Sequence, residues 1–422
     1  MIKRLRGTYD VLPQDAIKWQ YVEDVFSVIL ERYGYREIRT PVIEETSLFT
    51  RSIGETTDIV TKEMYTFLDQ KGRSITLRPE GTASVVRAFL EGSISPDALT
   101  KLYYWGDMFR YDRPQKGRYR EFCQVGVEAI GSAIPALDAE VISLAMCLLE
   151  TLGLKDLKLN LNSVGCVDCR RVYYEKLKDY FNSSTVVTMG KLCPTCQKRL
   201  EKNPMRIFDC KEENCQRTIE KAPTIAESLC SNCTLAFENL KKYLSLLDIP
   251  FVLNTRLVRG LDYYTRTAFE ITYEKMGSPQ QNALAAGGRY DNLIQELGGP
   301  PTPAIGFAMG MERILLAMEI AKVNIPTGKK VEIYFVSLGE VAFQEAFKII
   351  DRLRRKGFYV YATTSGRSLK SQLREADRLC VGYTLILGGD ELSRRVVMLR
   401  DMENSTQREI PLKDLEDELA KL

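Results

Sequence analysis

Thiols are concentrated in one part of this sequence. Of the 11 cysteines, eight lie between residues 166 and 233 and form four pairs: Cys166 and Cys169, Cys193 and Cys196, Cys210 and Cys215, Cys230 and Cys233. Three pairs have the C-x-x-C spacing with which two thiolates bind one tetrahedral zinc ion, whereas Cys210 and Cys215 are spaced less typically. The pairs are enough for two four-thiolate sites. The alternative is a set of reduced thiols in a small helical module.

Histidine is absent from the sequence. This excludes Ser–His catalytic triads, imidazole general bases and zinc sites with histidine ligands. An odd number of cysteines also does not favour a secreted disulfide framework. Any chemistry must therefore come from carboxylates, arginines, tyrosines or thiols.

Several arginines have a context suited to binding phosphate. They are Arg110 at the end of YYWGDMFR, Arg118 and Arg120 in the loop that follows, Arg259 in LVRGLDYY, and Arg313 in GFAMGMERILL. The sequence has no P-loop and no G-x-G-x-x-G motif after a strand, so side chains on a sheet would have to hold any nucleotide. A guanidinium suits that role because it pairs bidentately with phosphate and stays charged. Taken singly, each arginine is also explained by a surface ion pair.

Two carboxylates lie among apolar strand residues. Glu80 occurs in LRPEGT and Glu128 in GVEAIG, where an acid needs a cationic or hydrogen-bonding partner. A bound ammonium or N–H donor would satisfy that need, and so would a structural salt bridge. Tyr263 and Tyr264 are similarly open to two interpretations, as ligand contacts or as strand aromatics with one ring in the core.

Hydrophobic periodicity predicts the elements that position these residues. Residues 15–35 show one apolar stripe, typical of a helix, and REIRTPVIEE is typical of a strand with Pro41 at an edge. The runs KLYYWGDMFRY and EFCQVGVEAIG predict a long antiparallel hairpin around the loop DRPQKGRYR. The remaining predictions are a helix over 137–152, the strands LKLNLNS, FVLNTRL and TAFEITYE, a cysteine-rich insertion over about 165–235, and an apolar helix AMGMERILLAMEIA.

A linker, VNIPTGKK, separates the last residues from the rest. Residues 331–422 then alternate strand and helix in the order βαβαβ, which predicts a separate α/β domain with a parallel or mixed sheet. Arginines and lysines between 352 and 378 precede an acidic tail at 414–418. A cationic face for phosphates and a solvated helix surface are both consistent with that pattern.

The amino-acid composition excludes some classes of protein. The 422 residues are 45% hydrophobic with a formal net charge of +3, which excludes a uniformly basic nucleic-acid binder. No stretch approaches the ~18 apolar residues of a membrane span, and the N-terminus lacks the apolar stretch of a secretory signal. We therefore expect a cytoplasmic protein without a membrane partner.

Six blocks in order resemble one family. These blocks are RTPVIEETSLFTRSIGE, TLRPEGT, GDMFRYDRPQKGRYREFCQVGVEAIG, LVRGLDYYTRTAFE, AAGGRYD and GFAMGMERILL. They are similar to the conserved blocks of class II aminoacyl-tRNA synthetases, and specifically of the histidyl-tRNA synthetases. Residues around Pro41, 106–131 and 304–316 resemble motifs 1, 2 and 3. The resemblance covers essentially the whole chain. Tyr111 departs from it, since many relatives have histidine there.

The resemblance implies a fold of class α+β. The expected architecture is an antiparallel-sheet catalytic domain over 1–325, which contains the helical cysteine-rich insertion, and an anticodon-binding α/β domain over 331–422. It also implies that histidine is activated by ATP with Mg2+ to histidyl-adenylate and is then transferred to the 3′ end of tRNA(His), with release of pyrophosphate and AMP. Motif 1 further implies a homodimer.

Residue roles follow from the same resemblance. It implies catalytic roles for Arg110 and Arg259, with Arg259 standing where other class II enzymes place a metal. The implied histidine-binding residues are Glu80, Gly81, Thr82, Gln124, Glu128, Arg259, Tyr263 and Tyr264. The implied ATP-binding residues are Arg110, Glu312 and Arg313, and the implied tRNA acceptor contacts are Arg113, Gln115 and Arg118.

Two other interpretations remain. An inactive paralogue would resemble the regulatory subunit of ATP phosphoribosyltransferase, which typically lacks the anticodon domain and the arginines present here. A zinc-bearing RNA-binding module built on the cysteines would leave the other motifs unexplained.

Overall fold

A computed structural model describes the chain except for residues 1, 56, 93–98, 184–191, 211, 259, 278–280, 327–331 and 363–366. The chain divides into two compact units, Met1–Ile325 and Pro326–Leu422. The first unit is mixed α and β around a mainly antiparallel sheet, and the second is α/β, as the predicted fold class requires.

A large sheet organises the first unit. Its strands in the described residues are β1 (Arg36–Glu37), β5 (Thr100–Phe109), β6 (Glu121–Ile130), β7 (Leu157–Gly165), β8 (Phe251–Leu253), β9 (Thr265–Tyr273), β10 (Ala283–Arg289) and β11 (Ala304–Gly310). Their order is β1-β5-β6-β11-β10-β9-β7-β8. Only the outer pairs β1–β5 and β7–β8 among these strands are parallel. A smaller sheet of β2 (Ile43–Glu45), β4 (Ser74–Leu77) and β3 (Tyr65–Leu68) lies beside the motif 1 sequence.

Helices pack on both faces of the large sheet. The helices of this unit outside the cysteine-rich segment are α1 (Pro13–Arg32), α2 (Thr46–Ile53), α3 (Thr82–Glu91), α4 (Pro135–Thr151), α9 (Leu293–Glu296) and α10 (Met311–Ile320). The helix predicted over 15–35 is confirmed as α1, and its buried residues Val22, Phe26, Ile29 and Leu30 follow helical spacing into the main core.

The hairpin predicted around DRPQKGRYR is confirmed as β5 and β6, which pair in antiparallel register. Side chains alternate between the two faces of a strand. Val125 and Val127 therefore enter the core beneath the sheet, whereas Gln124, Gly126 and Glu128 lie on the opposite face.

Two sequence predictions were wrong in detail. The apolar run AMGMERILLAMEIA is not one helix, because residues up to Gly310 belong to β11 and the helix begins at Met311. A strand in the middle of a sheet is apolar on both faces, so its sequence resembles a buried helix. REIRTPVIEE is not one strand: β1 and β2 lie in different sheets on either side of Pro41, which lacks the N–H that a continuous ladder needs.

The cysteine-rich segment is helical and has its own small core. It contains α5 (Val167–Asn182), α6 (Pro194–Lys202), α7 (Glu213–Ile219) and α8 (Ser231–Leu246). Tyr173, Leu177 and Ile207 are buried in this core together with Ala268 of β9. The insertion therefore packs directly on the sheet that carries the candidate site.

The second unit has a mixed five-stranded sheet in order β13-β12-β14-β15-β16. Its elements are β12 (Glu332–Ser337), α11 (Glu340–Arg355), β13 (Tyr359–Ala362), α12 (Leu369–Arg378), β14 (Tyr383–Leu387), α13 (Gly389–Ser393), β15 (Val396–Asp401), β16 (Gln407–Pro411) and α14 (Leu415–Leu419). Arg352 and Lys356 form ion pairs with Glu416 in the acidic tail. Some of the basic helix surface is thus paired within the unit.

Candidate active site

A cleft of about 580 Å³ opens on the face of the large sheet that carries Gln124 and Glu128. Its lining brings together most of the site residues predicted from the sequence: Glu80, Thr82, Arg110, Arg118, Gln124, Glu128, Tyr263, Tyr264, Glu312 and Arg313. Gly81, Arg113 and Gln115 do not line it. Arg259 lies outside the described residues.

The floor of the cleft is built from small residues on neighbouring strands. Gly126 of β6 pairs with Ala308 of β11, which is followed across the sheet by Ala286 of β10. In the next row, a Cβ atom added to Gly306 would lie 2.0 Å from the Glu128 carboxylate. The lack of a side chain at Gly306 therefore leaves room for a buried acid at the base of the cleft.

Glu80 occupies the turn before α3 and is buried, with 3% of its surface exposed. Its carboxylate accepts hydrogen bonds from the backbone N–H groups of Thr82 and Ala83, both at 2.8 Å. These donors are unpaired N–H groups at the start of a helix, where a carboxylate is stabilised. Burial raises the pKa of Glu80, and these hydrogen bonds oppose that effect.

Glu128 is buried further, with 1% of its surface exposed. The Thr82 hydroxyl donates to one carboxylate oxygen at 2.7 Å, and the Tyr290 hydroxyl donates to the other at 2.5 Å. Burial and, to a smaller extent, the nearby Glu80 raise the pKa of Glu128 to about 8 despite these two hydrogen bonds. No cation pairs with Glu128 among the described residues. A structural salt bridge therefore does not account for this acid.

Gln124 has a buried side-chain oxygen with no hydrogen-bond partner among the described residues. Its place on β6, two residues from Gly126, puts it on the cleft face of the sheet. An unpaired buried acceptor costs roughly 1–3 kcal/mol, so a ligand with an N–H donor would relieve it. Tyr263 lies 3.5 Å from Glu80, hydroxyl to carboxylate, and its ring is tilted against that of Tyr264 with the centroids 4.8 Å apart.

Arg110 follows β5 and is held in place by the backbone. Its Nε donates to the Pro79 carbonyl at 2.8 Å, and its guanidinium lies 5.3 Å above the Phe122 ring. Burial lowers the pKa of Arg110, while the carboxylates of Glu63 and Glu80 oppose that effect. The guanidinium is thus positioned at the cleft before any ligand binds.

Arg313 and Glu312 begin α10 beside the hairpin loop. Arg313 donates from Nε to the Gly117 carbonyl at 3.2 Å and from Nη1 to the Ala283 carbonyl at 3.0 Å. One oxygen of Glu312 accepts from the Tyr9 hydroxyl at 2.7 Å and from the Cys123 N–H at 2.8 Å. Glu312 therefore connects the N-terminal segment, β6 and α10.

The residues of the hairpin loop that were predicted to contact tRNA differ in their exposure. Arg113 and Gln115 are exposed, whereas Arg118 reaches the cleft and forms an ion pair with Asp112. Tyr111 is also exposed and lies beneath the Arg120 guanidinium at 3.8 Å. An exposed position that stacks on an arginine does not contact the cleft, so the tyrosine at 111 leaves the cleft unchanged.

Two important residues were missed in the sequence. Tyr290 holds Glu128 from 162 positions away, and Tyr9 holds Glu312 from 303 positions away. Tyr290 is the tyrosine of AAGGRYD. Its position beside Arg289 in a glycine-rich block was the sequence feature that could have identified it as a site residue. Nothing in the sequence around Tyr9 indicates its partner.

A large antiparallel sheet whose open face presents arginines and carboxylates to one cleft is the arrangement of a class II aminoacyl-tRNA synthetase. A family model described as histidyl-tRNA synthetase matches residues 7–314, and one described as anticodon binding domain matches residues 325–422. The chain therefore belongs to the histidyl-tRNA synthetase family.

Individual relatives agree with this assignment. The chain is 49% identical over 425 residues to the histidine–tRNA ligase of Halothermothrix orenii. The alignment covers 100% of this chain and 99% of the relative. The apo histidyl-tRNA synthetase of S. aureus superposes with a TM-score of 0.83 at 38% identity, over 99% of this chain and 100% of that one. An ATP phosphoribosyltransferase regulatory subunit/histidyl-tRNA synthetase from Bacillus halodurans C, at 24% identity and a TM-score of 0.61, covers 92% of this chain and 99% of its own and shares the fold.

The helices among the described residues do not meet the requirements of a membrane span. None of them combines the length and the apolar character needed to cross a bilayer.

Proposed function

We propose that this chain is a histidine–tRNA ligase that activates L-histidine with ATP and transfers it to tRNA(His). The observation that carries the proposal is the buried Glu128 carboxylate in the cleft, held by two hydroxyl groups and without a protein cation among the described residues. Full-length identity of 49% to a curated histidine–tRNA ligase supports the same function. The regulatory-paralogue alternative is less supported, since Arg110 and Arg313 both reach the cleft and the second unit is present.

Recognition of histidine is assigned to the buried end of the cleft. Glu128 accepts the N–H of the imidazole ring, and Tyr264 pairs with the second ring nitrogen. Glu80 and Gln124 receive the α-ammonium group, with Thr82 and Tyr263 holding the acids in place. Other amino acids would leave these buried groups without partners, which is the costliest kind of mismatch for a pocket.

Activation of histidine requires the protein to position the two substrates, and it does not require a covalent intermediate with the protein. A carboxylate oxygen of histidine attacks the α-phosphorus of ATP, and the bond from that phosphorus to the bridging oxygen of pyrophosphate breaks. Arg110 stabilises the negative charge on the α-phosphate, and Arg313 binds the γ-phosphate. Arg259 is proposed to act at the α-phosphate on the basis of the family resemblance alone. A ribose hydroxyl at the tRNA 3′ end then attacks the carbonyl carbon, and AMP leaves.

Mg2+ fits this cleft through the chemistry of its carboxylates. Hard cations bind oxygen ligands, and Mg2+ keeps several ligands from phosphate and water. Glu270 and Glu312 line the cleft and would hold the ion, although one oxygen of Glu312 already accepts two hydrogen bonds. When bound, Mg2+ neutralises charge on the β- and γ-phosphates.

Contacts with tRNA are assigned to the two exposed regions that the motifs indicate. Arg113, Gln115 and Arg118 lie on the hairpin loop at the mouth of the cleft, where the acceptor end of the tRNA must enter. The unit Pro326–Leu422, which matches the anticodon-binding model, is proposed to bind the anticodon. We assign the catalytic domain to residues 1–325 and the anticodon-binding domain to 331–422.

A homodimer is proposed from the small sheet at motif 1. Ile43 and Phe67 are 48% and 45% exposed, and the register of the three strands places both on one face of the sheet. Apolar residues grouped on one surface mark contact sites, and a twofold contact would cover them in both chains. Light scattering should give twice the chain mass, and Phe67→Asp should reduce it to that of one chain. A wild-type monomer at micromolar concentration would contradict the dimer.

A charging assay tests the function. Purified full-length chain, ATP and Mg2+ should attach labelled L-histidine to a tRNA(His) transcript and leave a tRNA of another specificity uncharged. A folded protein that charges neither transcript would overturn the proposal.

A further inference from the structure

We propose that the eight cysteines of the insertion form two structural zinc sites, which fasten the insertion against the segment that carries the substrate tyrosines. The first cysteine cluster is Cys166, Cys169, Cys230 and Cys233, and the second is Cys193, Cys196, Cys210 and Cys215. Within each cluster, all four sulfur atoms lie within 4.8 Å of one another. This metal function is separate from ATP and histidine binding.

The distances within the clusters fit a tetrahedral ion. With Zn–S bonds of about 2.3 Å, the sulfur atoms at the corners of a tetrahedron are about 3.8 Å apart. Cys193 and Cys210 are 3.8 Å apart, Sγ to Sγ, and Cys166 and Cys169 are 3.5 Å apart. All 11 cysteines are free thiols in the structure. Four sulfurs around one point suit a single ion, whereas disulfides would draw them together in twos.

Backbone donors support the sulfur atoms, as expected for metal-binding thiolates. In the second cluster, the N–H of Cys196 donates to Sγ of Cys193 at 3.4 Å, and the N–H of Cys193 donates to Sγ of Cys215 at 3.3 Å. In the first cluster, the N–H of Cys230 donates to Sγ of Cys169 at 3.1 Å. Cys210 and Cys215, whose spacing in the sequence is less typical, therefore complete a site with a regular C-x-x-C pair.

The identity of the ion follows from its ligands. Four thiolates select a soft or borderline ion, and a closed site of four cysteines has no open position for a substrate. We therefore assign zinc in a structural role. Binding would release a proton from each thiol that ionises, up to four per ion.

Each cluster joins parts of the chain that are distant in sequence. The first cluster links the start of α5, directly after β7, to the start of α8, where the chain returns to the main core. It therefore closes the two ends of the insertion. The second cluster links α6 to α7 and lies in the insertion core with Cys196, Cys210 and Cys215 buried.

The insertion in turn forms hydrogen bonds with Arg256, Asp262 and Tyr264. Arg170 of α5 donates to the carbonyls of Asp262 at 3.3 Å and Tyr264 at 3.1 Å. Asn203, directly after α6, donates to the Asp262 carboxylate at 3.0 Å. Arg256 donates to the Ala222 carbonyl at 2.6 Å. Loss of either ion would loosen these contacts and so displace the tyrosines of the histidine pocket.

Metal content tests the sites directly. Wild-type chain purified without chelator should contain two zinc ions per chain, and the double variant Cys193→Ser/Cys196→Ser should contain one. Cys380→Ser, which changes an exposed cysteine of the second unit, is the matched control and should keep two. A content near zero, or iron in place of zinc, would overturn the proposal.

Cobalt substitution gives a reading that does not depend on the variants folding. Two equivalents of Co2+ added to metal-free chain should produce the strong visible bands of tetrahedral thiolate coordination, and zinc should abolish them. Weak bands typical of six oxygen ligands would contradict the assignment.

Substrate binding tests the coupling. Removing zinc should raise the KM for L-histidine about tenfold, equivalent to about one hydrogen bond, and readdition should restore it. An unchanged KM in metal-free chain would overturn the coupling. Because the metal content is measured in the absence of substrates, its outcome is independent of the proposed ligase activity.

Discussion

Replacing Glu128 with glutamine should abolish a proton release that accompanies histidine binding. Burial raises the pKa of Glu128 to about 8, so the empty pocket holds a largely protonated acid near neutral pH. The ionised carboxylate is a much stronger acceptor for an imidazole N–H than the protonated acid, so the bound ligand favours the ionised form. Binding of L-histidine must therefore expel the proton, and Glu128→Gln has no proton to lose.

The size of the effect follows from the pKa. At pH 7.5, an acid with a pKa of about 8 is protonated in about three quarters of the molecules. The imidazole ring of free histidine, with a pKa of about 6.5, is protonated in about one tenth of the histidine molecules at this pH. Wild-type binding should thus release about 0.85 proton, and the variant should release about 0.1. Losing a hydrogen bond to a charged group should also weaken affinity roughly 10- to 100-fold.

Isothermal titration calorimetry measures the released protons. Titrating L-histidine at pH 7.5 into phosphate and Tris buffers, whose ionisation enthalpies differ, gives the number of protons from the dependence of the observed heat. Glu296→Gln is the matched control, because burial also raises the pKa of Glu296 but this acid does not line the cleft. Its proton release should equal that of wild type. A wild-type release near zero, or equal release from Glu128→Gln, would refute the reasoning.

The same acid should affect stability. In the folded chain Glu128 keeps a proton that the unfolded chain, with a glutamate pKa of about 4.3, has already lost at pH 6. The contribution of Glu128 to stability therefore falls as pH rises from 6 to 8, by about 2 kcal/mol. Urea unfolding without ligand should show this decrease in wild type relative to Glu128→Gln. Parallel pH profiles would contradict the raised pKa.

Two further substitutions test other parts of the structure. Asp138→Asn should destabilise the first unit by about 3 kcal/mol in urea unfolding, because it removes the buried charge partner of Arg289 and leaves only the ion pair with Asp291. Asp138→Leu combined with Arg289→Met should cost less, and equal losses would contradict this. Arg110→Gln should lower pyrophosphate exchange by about 100-fold or more with an unchanged circular dichroism spectrum, since a preorganised charge at the reacting phosphate is lost; near-normal exchange would refute that role.

Local patterns predicted much of the framework. The alternation in EFCQVGVEAIG was sufficient to place Gln124 and Glu128 on one face of a strand, because a strand has a period of two. The stripe in α1 was equally informative, and the order of the motifs indicated the family. In each case the signal lay within a few residues of the element it described.

Other features depend on contacts across the chain. The partner of Glu128 is a tyrosine 162 residues away, and the partner of Glu312 lies near the N-terminus. The pairing of Cys210 and Cys215 with an earlier C-x-x-C motif could be counted in the sequence, but only folding shows which pairs share a centre. The last three residues of β11 were interpreted as helix because the strand is apolar on both faces, so its sequence has no period of two.

The selection of histidine by the buried acids is the central claim, and pyrophosphate exchange tests it most directly. Each of the twenty amino acids would be incubated with the full-length chain, ATP, Mg2+ and labelled pyrophosphate. We predict label in ATP only with L-histidine. A folded chain that gives no exchange with L-histidine, or equal exchange with another amino acid, would contradict the account.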